Sequence, residues 1–132
     1  MIVLDASASV ALVLSHPAAA ALKRWLARPF MSLHAPHLID VEVAQVLRRY
    51  WLSGDLTAAH AHERLQAHLD LPIVRYPHDV LMSRAWQLRA NVTAYDAMYL
   101  ALAEALDAPL ITLDEKLATA PGHRARVELI EE

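Results

Sequence analysis

Short apolar runs alternate with longer stretches of helical periodicity along this chain. Ile2-Val3-Leu4, Ser32-Leu33-His34, Ile73-Val74-Arg75, Leu110-Ile111-Thr112 and Val127-Glu128-Leu129-Ile130 read as strands. Between them, Pro17 opens an alanine-rich helix to Arg28, with proline in the first turn, where its missing N–H costs nothing. Residues 36–52 carry Ile39, Val43, Val46, Leu47 and Tyr50 at helical spacing. Gly54 ends that pattern, and Thr57 is placed to cap a helix through Asp70. Pro77 to Ala90 forms another helix, and Thr93 to Leu106 is apolar nearly all round, the mark of a buried helix. The first four strands each lead into helical pattern. The expectation is therefore an α/β fold, a mainly parallel central sheet with right-handed crossovers and helices on both faces. No repeat, low-complexity tract or linker interrupts the chain, so its 132 residues form one domain, 1–132.

Composition narrows the chemistry. Hydrophobic residues make up 56% of the chain, enough for a packed core and too many for disorder. The absence of cysteine excludes a disulfide framework, a thiolate metal site and a cysteine nucleophile, and it fits a reducing compartment. No basic leader precedes Met1-Ile2-Val3-Leu4-Asp5, and no stretch reaches the ~18 apolar residues that span a bilayer. A soluble cytoplasmic protein is expected. With two glycines, a glycine-rich phosphate loop is excluded. The net charge of −3 is low for a nucleic-acid binder, whose affinity rests on phosphate contacts, but a cluster of acids at a metal site would itself lower the sum.

Such a cluster is visible. Parallel sheets bind ligands outside the carboxyl ends of their strands. Asp5 follows the first strand and Asp114 follows Leu110 to Thr112, so both fall at that edge. If the two strands are neighbours, their ends lie ~5 Å apart, within reach of a shared cation. Each aspartate also suits a helix N-cap, and one residue can do both jobs with different oxygens. Glu42 sits about a quarter-turn from the centre of the apolar face of its helix, and Asp40 flanks the other border. Asp96 opens the apolar helix from Thr93; burying an unpaired carboxylate is costly, so it needs a partner, a metal, or a capping box with Thr93. Four acids at one edge repel unless a cation joins them. Hard oxygen donors without cysteine and without a histidine set suit Mg²⁺ or Mn²⁺, which serve phosphodiester hydrolysis by activating water and stabilising the leaving oxygen.

These residues resemble the PIN-domain nucleases and, within them, the VapC-type toxins of toxin–antitoxin pairs. Val3-Leu4-Asp5-Ala6-Ser7-Ala8 is similar to the first family motif, with Asp5 as ligand and Ser7 beside it. Pro36-His37-Leu38-Ile39-Asp40-Val41-Glu42-Val43, then Leu47-Arg48, resembles the second, with Glu42 as the acid. Thr93 to Glu104, through Asp96, closely matches the third. Pro109 to Asp114 resembles the fourth, where Thr112 and Asp114 face the site; it departs in having Glu115, not a second aspartate, after Asp114. The resemblance implies a five-stranded parallel PIN-like sheet and Mg²⁺-dependent (or Mn²⁺-dependent) endoribonuclease activity. It also implies a homodimer and inhibition by a small VapB-type antitoxin.

Other residues enter as weaker candidates. His60, His62 and His68 share one helix without the i, i+4 spacing of a zinc clamp, and are expected on a solvated face. No Ser/His/Asp set is visible. Leu22, Trp25 and Leu26 form a stripe that belongs to the core or to a groove for a partner helix; Trp51 and Trp86 suit core packing or a dimer interface. Arg48, Arg49, Lys116, Arg124 and Arg126 are candidate RNA phosphate contacts. Two other functions compete with the ribonuclease: a binding module on the same fold with lapsed chemistry, and a phosphotransfer enzyme with Asp5 as nucleophile.

Overall fold

The computed structural model describes residues 1–131. Five strands, β1 (Ile2–Leu4), β2 (Leu33–Pro36), β3 (Ile73–Tyr76), β4 (Leu110–Thr112) and β5 (Val127–Leu129), form one sheet in the order β3-β2-β1-β4-β5. Every pairing is parallel. The helices among the described residues are α1 (Ala6–Val13), α2 (Ala19–Leu26), α3 (Ile39–Leu52), α4 (Ala58–Asp70), α5 (Asp79–Gln87), α6 (Ala94–Leu106) and α7 (Glu115–Thr119). The chain winds from β1 outward through β2 to β3, then crosses to β4 on the other side of β1. With right-handed crossovers this reversal sends the two halves to opposite faces. In agreement, α1 packs against α2, α3 and α4, while α6 packs against α5 and lies across β1, β2 and β4. The reversal between β1 and β4 is the switch point where such sheets open a crevice.

The burial pattern explains why β1 and β4 stand centrally. Ile2, Val3, Leu4, Leu110 and Ile111 are all essentially inaccessible, as expected for strands covered on both faces. On α6, every residue from Ala97 to Ala103 is buried, which accounts for its lack of a polar face. Thr57 and Thr93 cap α4 and α6 by accepting the N–H groups of His60 and Asp96. The outermost strand β5 is only partly covered.

Three proline-led boundaries move. Pro36 closes β2, paired with Tyr76, so α3 begins at Ile39. Pro17 and Pro77 likewise lie in the turns before α2 and α5, which begin at Ala19 and Asp79. Helix α1 shows no periodicity from outside because Ala8, Ser9, Val10, Ala11 and Val13 are all buried around it.

The expectation for His68 is overturned: it is fully buried, not solvated. It sits on the inner face of α4, where its Nδ1 pairs with Ser9 Oγ at 2.6 Å and its Nε2 with Asp40 Oδ1 at 2.7 Å. Arg75 closes the string, its guanidinium donating to both oxygens of Asp40 at 2.9–3.1 Å. Burial pushes the Asp40 carboxyl up, but the hydrogen bonds and charges of Arg75 and His68 outweigh it and hold the group below its usual range. A Ser/His/Asp constellation therefore does exist here. With Ser9 and His68 inaccessible, it ties α1, α3 and α4 together and has no route to a substrate.

Candidate active site

Asp5 anchors the crevice. Register places Leu4 beside Ile111, so the chain leaves β1 next to Thr112. Asp5 is 6% exposed, and its carboxylate accepts three hydrogen bonds. Ser7 Oγ (2.6 Å) and the Ala8 N–H (3.0 Å) donate to Oδ1, the latter capping α1. Thr112 Oγ1 donates to Oδ2 at 2.5 Å. Each hydroxyl is itself held from β4 onward: Ser7 Oγ accepts the Leu113 N–H and Thr112 Oγ1 accepts the Asp114 N–H. Ser7 and Thr112 thus relay two backbone donors to one carboxylate and lock the ends of β1 and β4 together. A carboxylate offers about four acceptor positions, so this arrangement leaves one free on Oδ2. Burial raises the Asp5 pKa to about 6, against the opposing pull of those hydrogen bonds, with Asp114 adding to the rise.

The other three acids arrive from three further elements. Asp114 caps α7 by accepting the Lys116 N–H at Oδ1. Both aspartates therefore cap a helix while keeping acceptor capacity to spare. Glu42 lies in the first turn of α3, where Tyr99 Oη donates to its Oε1 at 2.6 Å. Burial, with the charge of Asp96 adding to it, raises the Glu42 carboxyl, and the Tyr99 hydrogen bond pulls it part of the way back. Asp96 lies in the first turn of α6. Its backbone N–H donates to Thr93 Oγ1, but its carboxylate accepts no hydrogen bond among the described residues, so the capping box is only half formed. Burial and then the charge of Asp114 push its pKa up.

The charge of Asp114 thus acts on Asp5 and Asp96, and that of Asp96 on Glu42. Among the described residues, no three carboxylate or histidine side chains converge on a single cation position. The donor set nevertheless fits a hexahydrate-forming cation, because Mg²⁺ keeps several waters and takes one or two carboxylates directly. It does not fit zinc, which asks for nitrogen or sulfur ligands.

Tyr99 is the site residue that periodicity hides. It reads as one more apolar position of α6, yet a buried tyrosine hydroxyl needs a partner, and Glu42 supplies it. Burial, ahead of the nearby carboxylates, raises the Tyr99 pKa far above its ordinary value, so it stays a donor.

Among the basic candidates, Arg48, Arg49 and Lys116 are exposed. The first two lie on α3 beyond Glu42, about 9 Å along the helix axis. Arg124 does not reach the acids: with Arg84 it pairs with Glu104 near the far end of α6. Arg126 likewise contacts Asp107, past that end. Leu22 is core, with Trp25 and Leu26 partly buried against it. Trp51 and Trp86 are 50% and 64% exposed, which removes the core reading for both.

The sequence matches the PIN domain family model over residues 2–122. Over 129 residues it is 45% identical to Ribonuclease VapC1 of Mycobacterium tuberculosis, covering 97% of this chain and 96% of that protein. Ribonuclease VapC12 of the same organism is 42% identical over 130 residues, 98% of this chain and 99% of its own length. The crystal structure of VapBC2 from Rickettsia felis, bound to a DNA fragment from their promoter, has a TM-score of 0.73 at 15% identity, covering 99% of this chain and 100% of that chain; the likeness is one of fold. Among the described residues no helix is long and apolar enough to cross a membrane. The chain belongs to the PIN domain family and, within it, to the VapC ribonucleases.

Proposed function

We propose that this chain is the endoribonuclease toxin of a VapBC-type pair. In this reading Asp5, Glu42, Asp96 and Asp114 hold Mg²⁺ or Mn²⁺ against an RNA phosphodiester. The observation that carries the reading is the quartet itself: four acids from four elements at the switch point, with burial and a neighbouring acid's charge opposing ionisation of Asp5, Glu42 and Asp96, a costly arrangement without a cation. When bound, the cation supplies a water of lowered pKa and positive charge against the phosphate. Ser7 and Thr112 orient Asp5, Tyr99 orients Glu42, and Asp96 brings a carboxylate with both oxygens unengaged. In the same reading the free acceptor on Glu42 takes a proton from attacking water. Arg48, Arg49 and Lys116 guide the phosphate backbone.

A phosphotransfer enzyme would form a phospho-aspartate on Asp5, a covalent intermediate that metal-dependent RNA hydrolysis lacks. A lapsed binding module would have no use for four repelling carboxylates. The exposed side chains of Trp51 on α3 and of Trp86 on α5 are available to a VapB-type antitoxin or to a second copy in a homodimer. The test is to map new RNA ends in cells after brief induction of the parent and of Asp96→Asn. Discrete cuts with the parent alone support the reading. Identical ends with both proteins, or none with either, overturn it.

A further inference from the structure

Beside the acids lies a cavity of about 250 Å³, lined by Leu38, His78, Met82, Ala94, Tyr95 and Met98. It joins the site at two points. Leu38, the N-cap of α3, is one turn ahead of Glu42, and Tyr95 immediately precedes Asp96 on α6. No lysine, arginine or carboxylate lines it, so it suits a neutral ring and not a phosphate. Tyr95 is 66% exposed, in contrast to Tyr99 one turn later, which is buried. An exposed aromatic ring beside a backbone-cleaving centre is the group on which unpaired RNA bases stack.

His78 adds a polar contact of defined sense. The Leu38 N–H donates to His78 Nε2 at 2.9 Å. Nε2 is therefore an acceptor, and the neutral imidazole carries its proton on Nδ1. No group among the described residues takes that proton. The same bond caps the amino end of α3, which lacks a side-chain cap of its own, so the ring is fixed relative to the helix that carries Glu42.

Resting on the ribonuclease reading, we infer that this cavity is a subsite for one unpaired nucleobase next to the cut, stacked on Tyr95 with a ring carbonyl accepting from His78 Nδ1. Uracil, guanine and cytosine carry such a carbonyl, and adenine offers ring nitrogens to the same donor. The subsite therefore reads a single-stranded nucleotide, through the stack on Tyr95 and one donor to the base.

The test uses the RNA segment that the parent cuts, with each nucleotide near the cut replaced in turn by an abasic ribose. One position should lower the parent's kcat/KM by about tenfold or more, the scale of one base–aromatic stack. Tyr95→Ala should lose as much on the intact segment and nothing further on that abasic one, while Tyr95→Phe behaves as the parent. His78→Phe keeps a ring but has no Nδ1 donor, so it should lower kcat/KM on the intact segment and lose less on the abasic one. Parental rates for Tyr95→Ala, or losses that simply add to those of every abasic substrate, overturn the subsite. So does a Tyr95→Ala protein whose sedimentation shows dissociation of copies and whose rate falls equally on all substrates; that result assigns the face to a protein contact. A parent that cuts no RNA is a separate outcome and overturns the ribonuclease reading itself.

Discussion

The Tyr99 hydroxyl donates to Glu42 Oε1 at 2.6 Å, joining the buried face of α6 to the first turn of α3. Because this bond lowers the pKa of a carboxyl that burial raises, its removal has a defined direction. Tyr99→Phe should leave the fold intact, reduce cleavage and metal affinity by about 10–100-fold, and move the acidic limb of the pH–rate profile upward. Loss of activity with an unmoved acidic limb would assign Tyr99 a packing role alone.

The metal-free protein should show a pH dependence set by Asp5. Its folded pKa of about 6 lies above its ordinary 3.8, so between those values the folded state still binds a proton that the unfolded chain has released. Stability therefore falls as pH rises from about 4 to about 6, then levels, at a total cost of about 3 kcal/mol. Denaturant melts in EDTA across this range should show that slope. Asp5→Asn should flatten much of it and be more stable than the parent at neutral pH. Asp96 and Glu42, also raised, leave a residual slope of the same sign. An unchanged slope in Asp5→Asn would mean that the carboxylate is solvated.

The string Ser9–His68–Asp40–Arg75 should carry stability and no catalysis. His68→Ala leaves the buried Ser9 hydroxyl without its partner and opens a void among α1, α3 and α4. The expected loss is about 3 kcal/mol, or roughly 10 °C in Tm, with cleavage per folded molecule unchanged. A small Tm change would show that water replaces the imidazole.

Much of this molecule is legible from the pattern of its residues. The strands Ile2–Leu4 and Leu110–Thr112 and the helix ending at Leu106 stand where alternation and apolarity place them, because buried parallel strands leave short, unambiguous runs. Asp5 and Asp114 are legible as edge residues once their strands are known to be neighbours. Helix α1 is not, because burial all round erases its period. His68 escapes for a related reason: α4 is polar enough to pass for a solvated helix, and only the three-dimensional meeting with Ser9 and Asp40 gives that histidine an inward role. The hydroxyls of Thr112 and Ser7 are foreseeable in position, but their relay of the Leu113 and Asp114 amides to Asp5 depends on register, which sequence does not carry.

Asp96 distinguishes a metal ligand from a helix cap. Its carboxylate makes no capping bond, and burial and Asp114 make its charge costly, so Asp96→Asn should raise the metal-free Tm at neutral pH. Saturating Mn²⁺ should stabilise the parent by about 2.7 kcal/mol at a hundred times its Kd and the variant much less. Four melting curves, each protein with EDTA and with metal, decide this. Equal metal shifts in both proteins would exclude Asp96 as a ligand.

The most direct measurement of the central claim is cleavage of cellular RNA by the purified protein, with its metal removed by EDTA and then restored. Mg²⁺ or Mn²⁺ should restore cleavage at discrete sites from essentially none. Asp5→Asn, Glu42→Gln, Asp96→Asn and Asp114→Asn, each folded as judged by melting, should lose most of it. Equal cleavage in EDTA, or near-parental rates in both Asp5→Asn and Asp96→Asn, would contradict a metal-dependent ribonuclease built on this quartet.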